Sequence, residues 1–210
     1  METVIDHIVV VAPNLAAGAT LVSDALGVKL QQGGVHPRMA THNLLLRLGD
    51  STYLEVISPD SSAAKPSHPR WFALDCLAPD DPPKLAAWVV RTEDIYFSRS
   101  MCASVLGNIE PMSRGALSWL ITVPSDGSLP LGGAAPVLIE WQSKPHPAYA
   151  LNDLGCSLHH LEIFHPEPEK VQVALKSINL STPVSIHQLS TSSQPKLVAQ
   201  IQTPCGLRTL

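Results

Sequence analysis

The chain repeats one pattern: a short apolar strand, an apolar helical run that follows a capping residue, and a closing glycine. Asn14 precedes a run that ends at Gly27, and Asp94 precedes a run that ends at Gly107 with the same spacing. A third, shorter copy begins at Leu158. Asn and Asp favour helix starts, and glycine favours helix ends. The repeat therefore predicts two matching helices within a duplicated unit, each running from its cap to its glycine.

Each predicted helix is followed by three short strands rather than by one. Helices that alternate with strand triplets indicate an α+β fold and argue against a doubly wound sheet. After the first helix we expect strands over residues 28–31, 43–48 and 52–58, with a tight turn between the last two. The chain divides into a first βαβββ module over 1–60, a connecting loop over 61–84, a second βαβββ module over 85–144, a linker over 145–155 and a partial third module over 156–210.

Composition and motifs exclude several classes of function. A net charge of −4 without a basic cluster argues against a nucleic-acid partner. No apolar run is long enough to span a bilayer, and the N-terminus lacks a signal-peptide pattern. The cysteines are far apart and show no CxxC pairing, which predicts free thiols in a reducing cytosol and hence a cytoplasmic protein. The sequence has neither a P-loop nor GxGxxG, so we expect no nucleotide cofactor.

The segments IDHIVVVAPNL, GGVHPRMATHNLLLRLGDSTYLEVI, WVVRTEDI, MSR and PVLIEW resemble the glyoxalase-like domain branch of the vicinal oxygen chelate superfamily. The resemblance covers about residues 4–144. It implies paired βαβββ modules that form a curled, barrel-like mixed sheet around a shared cavity, with a partial third βαββ module at the C-terminus that packs on the same domain. It also implies metal ligands on the first and last strands of each module.

Transferred residue by residue, this pattern implies the metal ligands His7, Glu55 and Glu140. The fourth ligand position falls at Ala87, or at Trp88 if the register shifts by one, and neither side chain binds metal. One imidazole and two carboxylates would suit Zn, Mn, Ni or Fe(II). Other interpretations stay open, because a strand histidine is commonly a hydrogen-bonded core residue and buried carboxylates can pair with arginine.

The segment HPRMATHN places a second group of polar residues near the expected cavity mouth. We predict that His36 acts as a general acid or base, and that Arg38 and Asn43 orient an anionic substrate. The alternative for Asn43 is that it satisfies backbone groups at a turn.

Three further residues are candidates for binding substrate. Tyr53 lies two residues before Glu55 on the same strand face, so it lines the cavity or packs as core. Arg114 and Trp119 are expected to line the cavity from the second module. The alternative for Arg114 is an exposed turn residue.

The resemblance implies a small-molecule pocket with metal-assisted lyase or isomerase chemistry on an oxygen-chelating substrate. The metal would stabilise an enolate-like intermediate, and Glu140 would act as the base. The alternative is a non-catalytic drug-binding or metabolite-binding protein of the same fold, without metal. Aromatic residues make up 5% of the chain, so no cage for a large planar ligand is obvious. We expect a monomer or a homodimer.

Overall fold

A computed structural model describes residues 2–210 of the chain. The first module has the predicted order of one strand, one helix and three strands. Its elements are β1 (Val4–Val11), α1 (Leu15–Leu26), β2 (Gln31–His36), β3 (Thr41–Arg47) and β4 (Tyr53–Pro59). The predicted strand over 28–31 was placed too early. Residues 28–30 are an irregular segment, and β2 begins three residues later than predicted, at Gln31.

The second module repeats this order after an irregular connection that contains a short 3₁₀ turn. Its elements are β5 (Lys84–Arg91), α2 (Ile95–Ser100), β6 (Asn108–Arg114), β7 (Leu117–Val123) and β8 (Val137–Trp141). All eight strands form one sheet in the order β2-β3-β4-β1-β5-β8-β7-β6. β1 and β5 pair antiparallel at its centre, and each pairs in parallel with the last strand of its own module.

The sheet curls until its two edge strands, β2 and β6, contact each other. This curling encloses one face of the sheet and leaves the other face for the helices. The predicted α+β class, with paired modules in a curled mixed sheet, is therefore confirmed. Because both modules lie in one chain, a single chain encloses the cavity.

The C-terminal segment forms a second sheet on the outer face of the first. Its elements are β9 (Ser157–His165), α3 (Pro168–Ser177), β10 (Ser185–Gln188), β11 (Lys196–Thr203) and β12 (Gly206–Thr209), with the strand order β10-β9-β11-β12. The segment is tied to the chain start by hydrogen bonds from Thr3 N to Asn179 O at 3.1 Å and from Ser181 N to Thr3 O at 2.9 Å. Its apolar face shares one core with α1 and the outer face of β1.

Helix α1 has the boundaries that its sequence predicts. The Asn14 side chain accepts a hydrogen bond from Ala17 N at 2.9 Å, and Gly27 closes the helix with a positive φ of 71°. Within α1, Gly18 is buried where the helix crosses β4, and a Cβ at this position would lie 2.3 Å from Val56 Cγ1. The glycine therefore sets how closely the helix approaches the sheet.

The expected second helix over residues 95–106 was too long. Asp94 does cap α2, accepting from Phe97 N at 2.9 Å, but the helix ends at Ser100 and turns lead on to Gly107. A Cβ on Gly107 would lie 2.0 Å from the Val123 carbonyl carbon. This glycine is thus required by close backbone contact with β7 and does not end the helix.

Within residues 2–210, no helix is long and apolar enough to cross a membrane.

Candidate functional site

The curled sheet encloses a small cavity with a volume of about 20 Å³. This is room for one ordered water molecule. Its polar lining comes mainly from the first module, and the second module contributes one cation and apolar side chains. The lining residues are His7, His36, Tyr53, Glu55 and Arg114, together with Trp71, Phe72, Trp119, Ile121, Ile139 and Trp141.

His7 is held in one orientation by its neighbour Asp6. His7 Nδ1 lies 2.7 Å from Asp6 Oδ1, and both residues are buried. Adjacent strand residues normally face opposite sides of a sheet. Here the β1–β5 register shifts between Ile5 and His7, so Asp6 occupies a bulge. The bulge turns the carboxylate toward the His7 ring.

Asp6 is fully buried and surrounded by hydrogen-bond donors. Its Oδ2 accepts from His146 Nε2 at 2.9 Å, Trp141 Nε1 at 3.0 Å and Arg91 NH1 at 3.1 Å. Burial alone would raise the pKa of Asp6, but hydrogen bonds from His146 and His7 and their charge hold that pKa well below its usual range. An ionised Asp6 only accepts hydrogen bonds, so His7 Nδ1 carries a proton and Nε2 faces the cavity.

Glu55 lies beside His7 on the neighbouring strand. Glu55 Oε2 is 3.7 Å from His7 Nε2, and Oε1 accepts a short hydrogen bond from Asn43 Nδ2. Asn43 Oδ1 in turn accepts from Gly34 N at 2.7 Å. Asn43 therefore orients the carboxylate, as well as satisfying a backbone group as the turn interpretation expected. The arrangement leaves Glu55 Oε2 directed toward His7.

Tyr53 stacks on one face of the His7 ring. The two rings stack with centroids 4.4 Å apart and an interplanar angle of 16°. Burial raises the pKa of Tyr53 well above its usual value, and the nearby charges of Asp6 and Glu55 raise it further. Tyr53 therefore stays neutral. The sequence left two alternatives for this residue, and the structure shows both, because Tyr53 lines the cavity and also packs in a small core cluster.

His36 is buried at the cavity wall, where both of its ring nitrogens have partners. Nδ1 lies 3.1 Å from Thr41 Oγ1, and Nε2 lies 3.3 Å from Arg114 NH1. Burial lowers the pKa of His36 to about 4, with Arg114 adding to the effect and Glu55 opposing it. Because a guanidinium can only donate, the Nε2 of His36 must accept. His36 therefore holds Arg114, and it is poorly placed for the acid–base role that we predicted for it.

Arg114 lies in the cavity wall, at the contact between the two edge strands. Among residues 2–210 it forms no ion pair with a carboxylate. A Cβ on Gly34 would lie 2.7 Å from Arg114 Cδ, so the absent side chain on β2 leaves the space that Arg114 fills. The prediction that Arg114 faces the cavity from the second module agrees with this placement.

The cavity is more aromatic than the composition suggested. Trp119 lies in the wall as predicted, with its ring centroid 6.1 Å from that of His36 and 5.3 Å from that of Trp141. The sequence did not identify Trp71 and Phe72, which come from the irregular connection and close the same cavity. Trp71 packs edge-on against His36 at 5.1 Å. The only hint in the sequence was that large aromatics stand in a Pro/Ser-rich segment.

Glu140 does not reach the cavity, contrary to our prediction. In β8 the side chains of Ile139 and Trp141 line the cavity, so Glu140 between them faces the other side. Glu140 Oε2 accepts from Ile95 N at 2.8 Å at the start of α2, and Oε1 accepts from Gln142 Nε2 at 2.5 Å. A slip of one residue reverses the face of every strand position, and the Glu55–Glu140 alignment contained such a slip.

Of the two candidates for the fourth metal-ligand position, Ala87 is the one on the inner face of the sheet. It lies in the inner core beside the cavity, whereas Trp88 belongs to the outer core and donates its indole N–H to Ala134 O at 3.3 Å.

Arg38 also lies outside the cavity. It is half exposed, donates to Pro111 O at 3.3 Å and pairs closely with Glu110. It therefore bridges the two sheet edges on the surface, and the substrate-orienting role predicted for it has no support from its position.

The residues present do not fit the metal site that the resemblance implied. His7 and Glu55 are together, but Glu140 is on the far face of the sheet. Residues 2–210 contain no group of three His, Cys, Asp or Glu side chains placed to hold a metal ion. The unpaired guanidinium of Arg114 in the same wall also opposes cation binding.

Comparison with protein families decides the relationship. A model of the glyoxalase-like domain matches residues 5–178. The chain belongs to the glyoxalase-like domain family. This confirms the resemblance to the vicinal oxygen chelate superfamily for most of the chain, including much of the third module. A comparison with curated proteins gives no match.

Several solved structures are similar in fold to this chain. A hypothetical protein from Staphylococcus aureus is 13% identical, with a TM-score of 0.65 over 93% of this chain and 88% of that chain. Methylmalonyl-CoA epimerase from Mycobacterium tuberculosis is 15% identical, with a TM-score of 0.44 over 69% of this chain and 91% of that chain. The similarity to the Staphylococcus aureus protein shows that the glyoxalase-like protein and that protein have the same fold over nearly the whole chain.

Proposed function

We propose that this glyoxalase-like protein is an acid–base isomerase that moves a proton between neighbouring carbons of a small 2-hydroxycarbonyl compound. The observation that supports this is the arrangement of Asp6, His7 and Glu55. One buried carboxylate fixes the His7 ring, and the free Nε2 faces a second carboxylate across 3.7 Å. Two proton-transferring groups thus share one enclosed space.

The two groups divide the reaction between them. The Glu55 carboxylate removes a proton from the carbon that carries the hydroxyl group, while protonated His7 Nε2 gives its proton to the carbonyl oxygen. The product of this half-reaction is a neutral enediol, a protonated Glu55 and a neutral His7. Asp6 keeps the Nδ1 proton of His7 in place throughout.

The second half-reaction restores both groups. His7 Nε2 removes the proton of the other enediol hydroxyl, and Glu55 returns its proton to the neighbouring carbon. The carbonyl and the hydroxyl have then exchanged places, and no proton is gained or lost. If the enediol carries a leaving group on the next carbon, the same pair supports a lyase reaction.

Deuterium exchange tests this proposal directly. The protein is incubated in D₂O with 2-hydroxyaldehydes, 2-hydroxyketones and 2-hydroxy-substituted acids, and loss of the carbon-bound proton is followed by NMR. Because a positioned acid or base contributes about 100-fold to 10,000-fold, we expect exchange in Glu55→Gln to fall at least about 100-fold. Glu140→Gln, on the other face of β8, is the matched control and should keep the wild-type rate. Equal rates in wild type and Glu55→Gln would contradict the proposal.

A second candidate is a non-catalytic binding protein. The clustering of Trp71, Phe72, Trp119 and Trp141 around the cavity favours it, because aromatic walls are typical of ligand pockets. This function predicts ligand binding without proton exchange, and binding that survives Glu55→Gln.

A further inference from the structure

One wall of the cavity carries positive charge that the protein does not neutralise. The guanidinium of Arg114 lines the cavity, and within residues 2–210 its one hydrogen-bond partner is His36 Nε2 at 3.3 Å. An arginine in a partly buried, aromatic environment normally pairs with a carboxylate. The carboxyl groups of Asp6 and Glu55 are engaged by His7 and Asn43 instead. The position of a counter-anion beside Arg114 is therefore open.

The surrounding residues hold Arg114 in this position. His36 Nδ1 is engaged by Thr41 Oγ1, which directs the His36 Nε2 lone pair at the guanidinium. On the other side, Gly34 has no side chain where a Cβ would come within 2.7 Å of Arg114 Cδ. Contacts on two sides restrict the side chain, as expected for a preorganised binding group.

Trp71 also lines the cavity, and its indole N–H is a donor without an acceptor. Trp71 is 4% exposed, and its Nε1 is buried without a hydrogen-bond partner within residues 2–210. A buried donor without an acceptor costs about 1–3 kcal/mol in a folded protein. Native proteins seldom retain such a donor unless a ligand or an ordered water accepts from it.

We infer that Arg114 and Trp71 form a carboxylate subsite, so that the substrate of this cavity is a small monocarboxylic acid. The inference deepens the proposed function and rests on it for the reacting end of the ligand. A guanidinium binds a planar carboxylate through two parallel hydrogen bonds, and the indole N–H adds a third donor. The acid's reacting carbon then lies toward His7 and Glu55.

Charge and size restrict the anion further. One arginine balances one negative charge, while Glu55 in the same cavity repels a dianion. A monocarboxylate is therefore favoured over a phosphate. The enclosed volume of about 20 Å³ requires the walls to widen for even a three-carbon acid, so large acids are disfavoured. The irregular segment that carries Trp71 and Phe72 is the part of the wall that no strand pairing holds.

Binding of acids against their matched amides tests the subsite without requiring turnover. Acetate, pyruvate and benzoate are compared with acetamide, pyruvamide and benzamide by calorimetry and by the fluorescence of the cavity tryptophans. We expect at least one acid to bind wild type ten or more times tighter than its amide. Arg114→Gln should remove this preference, and Trp71→Phe, which keeps an aromatic ring, should weaken acid binding several-fold. Arg208→Gln changes an exposed arginine on β12 and should have no effect.

Gly34→Ala provides a second variant that keeps the charge of Arg114. Its added methyl group should displace the Arg114 side chain and weaken acid binding several-fold, so the test survives if Arg114→Gln folds poorly. The subsite is overturned if acids and amides bind wild type equally, or if acid binding is unchanged in both variants. Glu55→Gln separates the two proposals: it should abolish proton exchange while retaining the preference for acids. Exchange of neutral hydroxyketones without any preference for acids would leave the proposed function standing and remove the subsite.

Discussion

Asp6 Oδ1 and His7 Nδ1 lie 2.7 Å apart, although the two residues are consecutive in one strand. A bulge opposite β5 brings them together, and it also places Ile5 in the outer core while His7 faces the cavity. The pair matters because the other carboxylate oxygen, Asp6 Oδ2, is contacted only from distant parts of the chain, by Arg91, Trp141 and His146, among the described residues 2–210. A single buried carboxylate thus links His7 to the second module and to the linker.

We predict that Asp6→Asn destabilises the protein more than any exposed charge substitution. The amide NH₂ group would face the N–H donors of Arg91, Trp141 and His146, which now donate to the carboxylate. Breaking a buried ion pair on one side costs about 3–5 kcal/mol in free energy of unfolding. Asp50→Asn is the matched control, because Asp50 is exposed and its pair with Arg47 contributes at most about 1 kcal/mol. Urea unfolding of both variants measures the difference, and equal effects would contradict the role of Asp6.

Asp6 should also make stability depend on acid pH. Its folded pKa lies well below the ordinary value of 3.8, so the unfolded chain takes up a proton before the folded protein does. The stabilising contribution is therefore fully present above pH 3.8 and is lost progressively as the pH falls below that value. We expect unfolding curves of Asp6→Asn to show a weaker loss of stability than wild type in this acid range. A parallel pH dependence in both proteins would show that Asp6 is not the group responsible.

His36 should make the stability of the protein depend on pH in a higher range than Asp6 does. The folded pKa is about 4 and the ordinary value is 6.5, so between these values the unfolded chain binds a proton that the folded protein does not. Stability from this group is full above pH 6.5 and falls by about 3 kcal/mol as the pH approaches 4. Replacement by Asn, which does not titrate, should flatten this part of the stability profile. NMR of the imidazole nitrogens in wild type should show neutral His36 with a protonated Nδ1 at pH 6.

Metal removal should leave the proposed reaction intact. The structure separates Glu140 from His7 and Glu55, so the protein has two of the three ligands that the resemblance implied. We expect protein treated with EDTA to keep its rate of deuterium exchange. The metal content of wild type, Glu55→Gln and Glu140→Gln is measured by elemental analysis. Stoichiometric metal in wild type that is absent from both variants would contradict the metal-free reaction and support the metal site.

Gly18→Ala should destabilise the fold, although alanine favours helices over glycine by about 1 kcal/mol. The new Cβ would lie 2.3 Å from Val56 Cγ1 and would push α1 away from β4. Overpacking of this kind costs about 1–3 kcal/mol. Thr20→Ala, at an exposed position of the same helix, is the control for helix propensity and should be neutral or slightly stabilising. Thermal unfolding that ranks Gly18→Ala at or above wild type would contradict the close approach.

Local patterns in the sequence were sufficient for elements whose ends depend on neighbouring residues. Asn14 and Gly27 bound α1 because a side-chain cap and a left-handed glycine act within one turn of the helix. The same pattern failed for α2, because Gly107 serves a contact with β7 that is distant in sequence. Paired modules, the α+β class and the family were all readable from the repeat and its motifs.

The site depended on register, which local patterns do not determine. Glu55 was placed correctly, because its strand alternates regularly with Tyr53. Glu140 was placed wrongly, because pairing of β8 with β5 and β7 puts Ile139 and Trp141 on the inner face. The aromatic wall from the connecting loop likewise required the folded chain.

One physical cause explains why some features could be predicted from the sequence and others could not. Caps, glycine stops and strand periodicity arise from interactions between residues a few positions apart, so the sequence alone specifies helix α1, the paired modules and the fold class. Which side chains share the cavity depends on a bulge between β1 and β5 and on a one-residue choice of register in β8. Those features are decided by hydrogen bonds between strands that are far apart in the chain, and only the tertiary structure brings Asp6, His7, Glu55 and Arg114 together.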